Sequence, residues 1–240
     1  MPFGLSKLAE HFPALSVKIK NEAYFEIFGN IHIAASWGGF TVDELFTIKI
    51  VAEDFPARPP LCIETSGKNT KYHINPGNDL CLSSPRILHD EITAHPNIIY
   101  YINKFVIPFF FSFKYHQTYG ISPFGELAHG GDGLLPAYRE IFRTNDIAIC
   151  TLLTYGTKFL YRGHHFCPCG SGLALRKCHG PKLRALFENY HPSLLQVDLD
   201  NCADSLKKHV VGNKDYAFFS QRYVKAKKVL TALIKGRGKA

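Results

Sequence analysis

Four side chains of the types that bind metal ions fall within thirteen residues, and this spacing constrains the local fold more than any other sequence feature. They are Cys167, Cys169, Cys178 and His179. Three thiolates and one imidazole form a standard tetrahedral site for structural zinc. Gly170 and Gly172 let the backbone bend around an ion without a Cβ clash. The sequence therefore predicts a closed, structural Zn²⁺ site within residues 164–180, with four protein ligands and no open position.

The same segment carries a recognisable motif. Residues 167–172 read Cys-Pro-Cys-Gly-Ser-Gly, and Cys178-His179 follow. This pattern resembles the SEC-C motif, a zinc knuckle that binds proteins or nucleic acid, and the resemblance implies a docking module. His164 and His165 could compete as ligands, but the favoured interpretation places them on the surface.

Charge is distributed unevenly along the 240 residues. Residues 1–150 hold 12 Lys and Arg against 15 Asp and Glu, a net charge of −3. Residues 151–240 hold 16 against 5, a net charge of +11, which gives the chain its total of +8. A cationic region of this kind indicates an acidic partner such as nucleic acid, a nucleotide or an acidic protein face. The alternative is a solvated basic helix with a frayed tail over residues 225–240.

Cysteine content and hydropathy bear on the compartment. Seven cysteines, an odd number, occur without an export signal, so we expect a reducing cytosol and thiols used for metal binding or catalysis. The most apolar stretch, residues 97–113, contains Asn103, Lys104 and Pro108 and falls short of the roughly 20 apolar residues that a membrane span needs. We therefore expect a cytoplasmic protein that does not cross the membrane.

Short β-type runs fill the first quarter of the chain and predict an antiparallel meander. Gly29-Asn30 is expected to form a turn or bulge, and Trp37-Gly38-Gly39 to interrupt the runs. The runs lie at residues 16–20, 23–28, 31–35, 45–53 and 61–65, after a short helix at 5–11.

Helical patterns dominate the remainder, after a long irregular stretch at 66–96. We predict a buried helix at 97–116 kinked at Pro108, a Gly-rich loop at 122–135, and a helix at 137–159 that begins after Pro136. Further helices are expected at 181–190 and within 204–235. The predicted class is α+β, with one domain at 1–135 and a helical, basic domain at 136–240.

A second candidate site surrounds Cys81. Between two leucines this thiol would ordinarily be a small buried hydrophobe. However, Cys81 follows the turn-rich segment 75–79, so it lies at the end of a loop that could fold His73 and Asn75 back beside it. An Asn amide can donate to an oxyanion as a carbonyl carbon becomes tetrahedral.

The motifs around Cys81 resemble those of ubiquitin-conjugating enzymes. They are Phe-Pro-Ala-Arg-Pro-Pro at 55–60, Tyr-His-Ile-Asn at 72–75 and Leu-Cys-Leu at 80–82, in that order after alternating strands. The resemblance covers about residues 16–115. It implies a ubiquitin-conjugating-enzyme-like (UBC-like) four-stranded meander with helices, and a thioester formed on Cys81. It also implies that Asn75 contacts the oxyanion, that His73 braces the loop, and that Pro59 and Pro60 turn the chain before the fourth strand.

Three features depart from the family pattern. Ile74 replaces the middle proline of the Tyr-His-Pro-Asn motif, and the loop to Cys81 is about two residues shorter. Lys7 is the only base of the first helix, so the usual activating enzyme is not the expected partner. Asp90 and Glu91 are candidates, by position only, for the acidic residue that assists the incoming lysine.

The resemblance implies transthiolation followed by aminolysis, in which a protein C-terminal acyl group passes through Cys81 to an amine. Bacterial members of this superfamily are encoded beside cyclic-oligonucleotide synthases in antiphage defence (CBASS). The implied partner is a protein with an activated or conjugatable C-terminus, either the synthase or a ubiquitin-like modifier. One alternative is an inactive UBC-like adaptor whose basic zinc knuckle binds nucleic acid or an acidic protein. Another is a cysteine hydrolase that uses Cys81 with His73 as the base.

Other reactive side chains are discounted. Glu126 and His129 are interpreted as turn residues rather than an acid–base pair. Cys62, Cys150 and Cys202 are expected to be inert, the first two of them in the core.

Overall fold

The computed structural model describes residues 3–69, 71–124, 131–157, 160–209 and 214–237. Contacts divide the chain into two compact units, Met1–Glu126 and Leu127–Ala240, and each has its own buried apolar cluster. The sequence-based boundary fell at 135/136. Fold class α+β is confirmed, because a four-stranded antiparallel sheet is followed by helices.

The first unit begins with a 3-10 turn, Leu5–Lys7, that continues into α1, Leu8–His11. The sheet follows, with its strands in chain order and every pair antiparallel, so the predicted meander is confirmed. The strands are β1 Leu15–Ile19, β2 Phe25–Trp37, β3 Phe40–Ala52 and β4 Leu61–Glu64.

Strand β2 corrects one prediction, because it runs unbroken through Gly29-Asn30 and pairs with β3 along its whole length. Gly29 adopts φ 138°, and a Cβ at this position would lie 2.2 Å from the carbonyl oxygen of Ala14. The glycine therefore permits a close backbone approach rather than a turn. The actual reversal is at Gly38 and Gly39, whose positive φ angles suit a two-residue hairpin.

One face of the sheet is buried against the helices of this unit. Ile27, Ile31 and Ile33 alternate with exposed residues along β2, as expected for a strand with one solvated face. On β3, the ring of Phe46 stacks on Phe110 with ring centroids 4.2 Å apart. The other face of the sheet carries polar side chains such as His32 and Lys49 together with exposed Phe28 and Leu45.

The stretch 66–96, expected to be irregular, contains helix α2, Pro85–Ala94. Ser84 caps this helix, because its hydroxyl accepts a hydrogen bond from the backbone N–H of Ile87 at 3.3 Å. Pro85 fits the first turn, where a missing N–H costs least. Only two α2 side chains, His89 and Ile92, are buried.

The predicted buried helix of residues 97–116 is present as three continuous segments. They are α3 Ile98–Tyr101, a π-helical turn Ile102–Val106, and α4 Ile107–Tyr119. Asn97 caps the start by accepting from Ile99 N–H at 2.8 Å. Because Pro108 has no N–H to donate to the preceding turn, the irregular π turn lies just before it.

The second unit is helical, but its helices differ from the predicted ones. Pro136 lies inside α5, Gly131–Phe142, rather than at its start, and the predicted helix 137–159 divides into α5 and α6, Asp146–Thr154. Asn145 is the N-cap of α6, because its side-chain oxygen accepts a hydrogen bond from the Ala148 N–H at 2.9 Å. Three helices follow instead of two: α7 Gly180–Phe187, α8 Pro192–His209 and α9 Lys214–Arg237.

Among the described residues, none of the helices combines the length and the apolar character needed to cross a bilayer.

Candidate functional site

Residues 73–81 form a tight, hairpin-like loop. Ile74 and Leu80 make an isolated antiparallel bridge, and Asn75 N–H donates to the Asp79 carbonyl at 2.8 Å. Cys81 N–H donates to the carbonyl of His73 at 2.7 Å. The loop therefore folds back on itself, as the turn residues predicted, and brings the backbone of Cys81 beside that of His73.

The loop is anchored to the sheet and to the helical layer of its unit. Leu80, a buried residue, donates its N–H to the carbonyl of Cys62 on β4 at 2.7 Å. At the other end, the ring of Tyr72 packs against Phe109 of α4, with ring centroids 5.7 Å apart. His73 adopts φ 47° and its ring lies edge-on to Tyr72 at 4.5 Å. His73 thus lies where the backbone changes direction sharply.

Cys81 differs from the cysteines of the cores in its exposure. It is half-buried, whereas Cys62 and Cys150 are buried, as expected for core residues, and Cys202 is buried as well. Partial burial raises the pKa of the Cys81 thiol, and the nearby charge of Asp79 raises it further. The thiol is therefore mostly protonated at neutral pH, and its thiolate is a minor species.

Asp79 holds the side chain of Asn75. The amide Nδ2 of Asn75 donates to Asp79 Oδ2 at 2.7 Å. An amide carries two hydrogens, so this bond leaves one for another acceptor. Asp79 is a site residue that the motifs of the sequence do not indicate, although it ends the Asn-Pro-Gly-Asn-Asp turn.

Glu64 and Asn69 brace the segment that leads into the loop, and sequence reasoning missed both. The buried carboxylate of Glu64 accepts from the backbone N–H of Ser66 at 2.6 Å and of Gly67 at 3.1 Å, and also from the Ser66 hydroxyl. Asn69 both accepts from Tyr72 N–H and donates to the Tyr72 carbonyl, each at 2.9 Å. These bonds fix the backbone immediately before His73.

Asp90 and Glu91 lie on α2, and each contacts a neighbouring side chain. Asp90 pairs with Arg86 at 2.8 Å, one helical turn away, and Glu91 accepts a hydrogen bond from the hydroxyl of Tyr100. Glu126 and His129 lie outside the described residues.

The predicted metal-ligand set of the second unit comes together in space. The ligand atoms of Cys167, Cys169, Cys178 and His179 all lie within 4.8 Å of one another. His179 Nδ1 lies 3.1 Å from Cys167 Sγ and 3.3 Å from Cys178 Sγ, and the Cys169 and Cys178 sulfurs are 3.6 Å apart. Tetrahedral zinc would separate such atoms by roughly 3.5–3.8 Å. The donor set is therefore compatible with a bound metal ion.

The imidazole of His179 is oriented for metal binding. Its Nε2 lies 2.7 Å from the carbonyl oxygen of Phe142 at the end of α5. Because a carbonyl oxygen only accepts hydrogen bonds, Nε2 must carry the proton. The lone pair of Nδ1 then faces the space between the three sulfurs, where an ion could bind. A backbone carbonyl behind a ligating histidine is a common way to fix the tautomer.

The backbone around the cluster is a tight loop closed by one antiparallel bridge. Phe166 and Ala174 form an antiparallel bridge, and Cys167 N–H donates to the Leu173 carbonyl at 2.8 Å. Gly170 and Gly172 adopt φ of 79° and 73°, the left-handed conformation that glycine permits. The predicted role of these glycines in bending the chain agrees with this geometry.

Two thiols of the Cys3His cluster differ in their pKa values. Burial opposes ionisation of Cys169, but hydrogen bonds from the side chain and backbone of Ser171 outweigh it and lower the pKa of Cys169 to about 6. Burial raises the pKa of Cys167 to about 12. His164 and His165 are exposed and lie outside the ligand cluster, as expected.

Comparison with models of protein families, with curated proteins and with solved structures finds no match for this chain. What the protein does must therefore be inferred from its own residues and their geometry.

Proposed function

We propose that this chain is a ubiquitin-conjugating-type acyltransferase that carries a protein C-terminal acyl group as a thioester on Cys81. One observation carries the proposal. Among the described residues, Cys81 is the one cysteine outside the Cys3His cluster that is not buried, and it follows a turn that holds an Asn amide. The order of elements also supports it: a short helix, an antiparallel meander, a proline-rich connection, the Cys81 loop and then helices.

In the first step, the Cys81 thiolate attacks an activated C-terminal carbonyl, presented as a thioester or an acyl adenylate. A bond forms from sulfur to the carbonyl carbon, and the thiolate or AMP of the donor leaves. The raised pKa of Cys81 makes the thiolate scarce but more nucleophilic. We therefore expect slow reaction with unselected electrophiles and acylation only when a partner holds the carbonyl in place.

In the second step, an amine attacks the Cys81 thioester. The carbonyl oxygen becomes an oxyanion, and the Asn75 N–H that Asp79 does not use would donate to it. Collapse forms the amide bond, expels the Cys81 thiolate and releases the amine proton to solvent. His73 would brace the loop through its backbone carbonyl, which accepts a hydrogen bond from the Cys81 N–H.

The Cys3His cluster would hold structural Zn²⁺ in this scheme. Four protein ligands leave no open position for a substrate or a reactive water, so the ion would stabilise the knuckle and take no part in acyl transfer. We propose zinc over other ions because thiolates and an imidazole in a tetrahedral arrangement favour it.

The acyl donor would be the C-terminus of a cyclic-oligonucleotide synthase or of a ubiquitin-like modifier, in antiphage defence. The motifs around Cys81 support this class of partner, and the acceptor would be a lysine amine. The raised pKa of Cys81 favours the competing interpretation, an adaptor that binds partners without chemistry at this thiol.

Mass spectrometry of the chain purified after co-expression with its genomic neighbours tests the proposal. We expect a covalent adduct on Cys81 that hydroxylamine releases and that Cys81→Ala abolishes. Cys62→Ala is the matched control, because it removes a buried thiol next to the loop and should retain the adduct. An adduct that survives Cys81→Ala, or no adduct under any co-expression, would contradict acyl transfer and leave the adaptor.

A second variant separates the two steps. Asn75→Ala should still form the thioester but transfer it to an amine roughly 10²-fold more slowly, since it removes one oxyanion donor. Equal transfer rates for Asn75→Ala and the parent chain would exclude the assigned role of this amide.

A further inference from the structure

Arg222 of α9 is a half-buried cation that contacts two aromatic rings and one hydroxyl group. Its guanidinium carbon lies 3.8 Å from the centroid of the Tyr155 ring and 5.7 Å from that of Phe218. Its Nε donates to Thr154 Oγ1 at 3.2 Å. These contacts fix the plane of the guanidinium between two helices of the second unit, α6 and α9.

Within the described ranges, Arg222 forms no ion pair with a carboxylate. There its Nε bond to Thr154 is the one hydrogen bond of the guanidinium, and the Nη nitrogens make none. Arg139, by contrast, donates to both carboxylate oxygens of Asp146 at 2.7 and 2.6 Å. Leaving a partly desolvated charge without a partner is costly, so a half-buried arginine with unused donors indicates an anion that binds there.

A second arginine, Arg162, lies near Arg222, and two histidines lie beside Tyr155. Burial lowers the pKa of the Arg222 guanidinium, the Tyr155 hydroxyl opposes this change, and the nearby charge of Arg162 lowers the pKa again. The Tyr155 hydroxyl lies 3.4 Å from Nδ1 of His165, whose ring contacts that of His164. Arg162 and both histidines are exposed. Arg162 thus adds a second positive charge close to that of Arg222.

We propose that Arg222, together with Arg162 and the Tyr155 hydroxyl, forms a binding site for a phosphate group. The two unused Nη nitrogens form a planar fork whose spacing matches two phosphate oxygens, and stacking on Tyr155 fixes the fork in advance. A hydroxyl donor beside the fork suits a third oxygen. The phosphate could belong to a nucleic acid strand or to a small phosphorylated molecule. The site uses no residue of the Cys81 loop.

Two probes distinguish the sources of the phosphate. Calorimetric titration with inorganic pyrophosphate measures the site itself, and fluorescence anisotropy with a labelled single-stranded oligothymidylate measures a nucleic acid ligand. Arg222→Gln should weaken binding about tenfold or more, as expected for lost charge-assisted hydrogen bonds. For the oligonucleotide, the slope of log Kd against log salt should fall in magnitude by about 0.7, the loss of one phosphate contact on a single strand.

The control is Lys207→Gln, which removes one positive charge from the same unit at a side chain paired with Asp204 at 2.8 Å. It should change neither affinity by more than about twofold, because an already paired surface charge contributes little. Arg222→Lys keeps the charge but loses the fork, and it should bind more weakly than the parent chain.

The outcomes separate clearly. Loss of binding to either probe in Arg222→Gln but not in Lys207→Gln supports the site, and the probe that binds identifies the source of the phosphate. No binding of either probe to the parent chain, or equal losses in the two variants, overturns it. If Arg222→Gln melts early, Arg162→Gln tests the same site from an exposed position, and unchanged binding there also overturns it.

Discussion

The amide nitrogen of Asn75 donates a hydrogen bond to Asp79 Oδ2 over 2.7 Å, across a turn that ends at the thiol of Cys81. Asp79 therefore has two effects on the candidate site. It orients the amide assigned to the oxyanion, and its charge contributes to the raised pKa of the Cys81 thiol. Substitution of this one residue should separate the two effects.

Asp79→Asn should make Cys81 more reactive towards a small alkylating agent. Removing a negative charge near the thiol favours the thiolate, so the pKa of Cys81 should fall and the rate of alkylation by iodoacetamide at pH 7 should rise about three- to tenfold. Peptide mapping of the alkylated chain measures the rate at Cys81. Asp90→Asn is the control, and an unchanged or slower rate in Asp79→Asn would show that Asp79 has no electrostatic effect on the thiol.

The pH dependence of the same reaction tests the direction of the pKa shift in the parent chain. Because burial and Asp79 raise the pKa of Cys81, its alkylation rate should keep rising past the ordinary thiol value of about 8.5. The thiolate is lost as the pH falls, so Cys81 should react more slowly at pH 7 than the cysteine of an uncharged, end-blocked model peptide. An inflection at or below that of the model peptide would refute the shift.

Glu64→Gln should destabilise the first unit. The substitution turns an acceptor of several backbone and hydroxyl hydrogen bonds into an amide whose NH2 faces donors, and bonds to charged groups contribute about 1.5–3 kcal/mol. Trp37 is the single tryptophan of the chain, so its fluorescence during urea denaturation reports on this unit. Glu22→Gln, at an exposed position, should leave the free energy of unfolding unchanged.

His179→Ala should abolish stoichiometric zinc, measured by elemental mass spectrometry of the purified chain. It removes one ligand and the bond from Nε2 to the Phe142 carbonyl, so the melting temperature by circular dichroism should also fall. His164→Ala is the matched control, because His164 is a nearby histidine outside the cluster. Retention of zinc by His179→Ala, or its loss from His164→Ala, would mean that the ligand set is wrong.

Tyr138→Phe should destabilise the second unit. Asp198 is fully buried, and its Oδ2 accepts hydrogen bonds from the hydroxyls of Tyr138 at 2.5 Å and Tyr190 at 2.7 Å. Removing one donor from a buried carboxylate should cost about 1.5–3 kcal/mol. Thermal or urea denaturation followed by far-ultraviolet circular dichroism measures the loss. Tyr216→Phe, on a half-buried ring, should have no comparable effect.

Features that depend on neighbours in the chain could be predicted. The Cys3His ligand set was visible because its members lie within thirteen residues, and local glycines suffice to bring them together. The strands were visible from alternation, and the fold-back of the Cys81 loop from its turn residues. In each case the interactions that decide the structure span a few residues, so the sequence pattern contains them.

Other features depend on residues that only the tertiary structure brings together. The sequence pattern indicated a turn at Gly29. The structure shows instead that a glycine is needed there because the carbonyl of Ala14, on a neighbouring segment, leaves no room for a Cβ. The Phe142 carbonyl that fixes His179 comes from 37 residues away, and Thr154 contacts Arg222 across 68. No local pattern encodes such pairs, because packing of distant segments determines which polar groups meet. The sequence by itself therefore determined the strands, the loop and the metal ligands, whereas the tertiary structure decided how they are oriented and which charges remain unpaired.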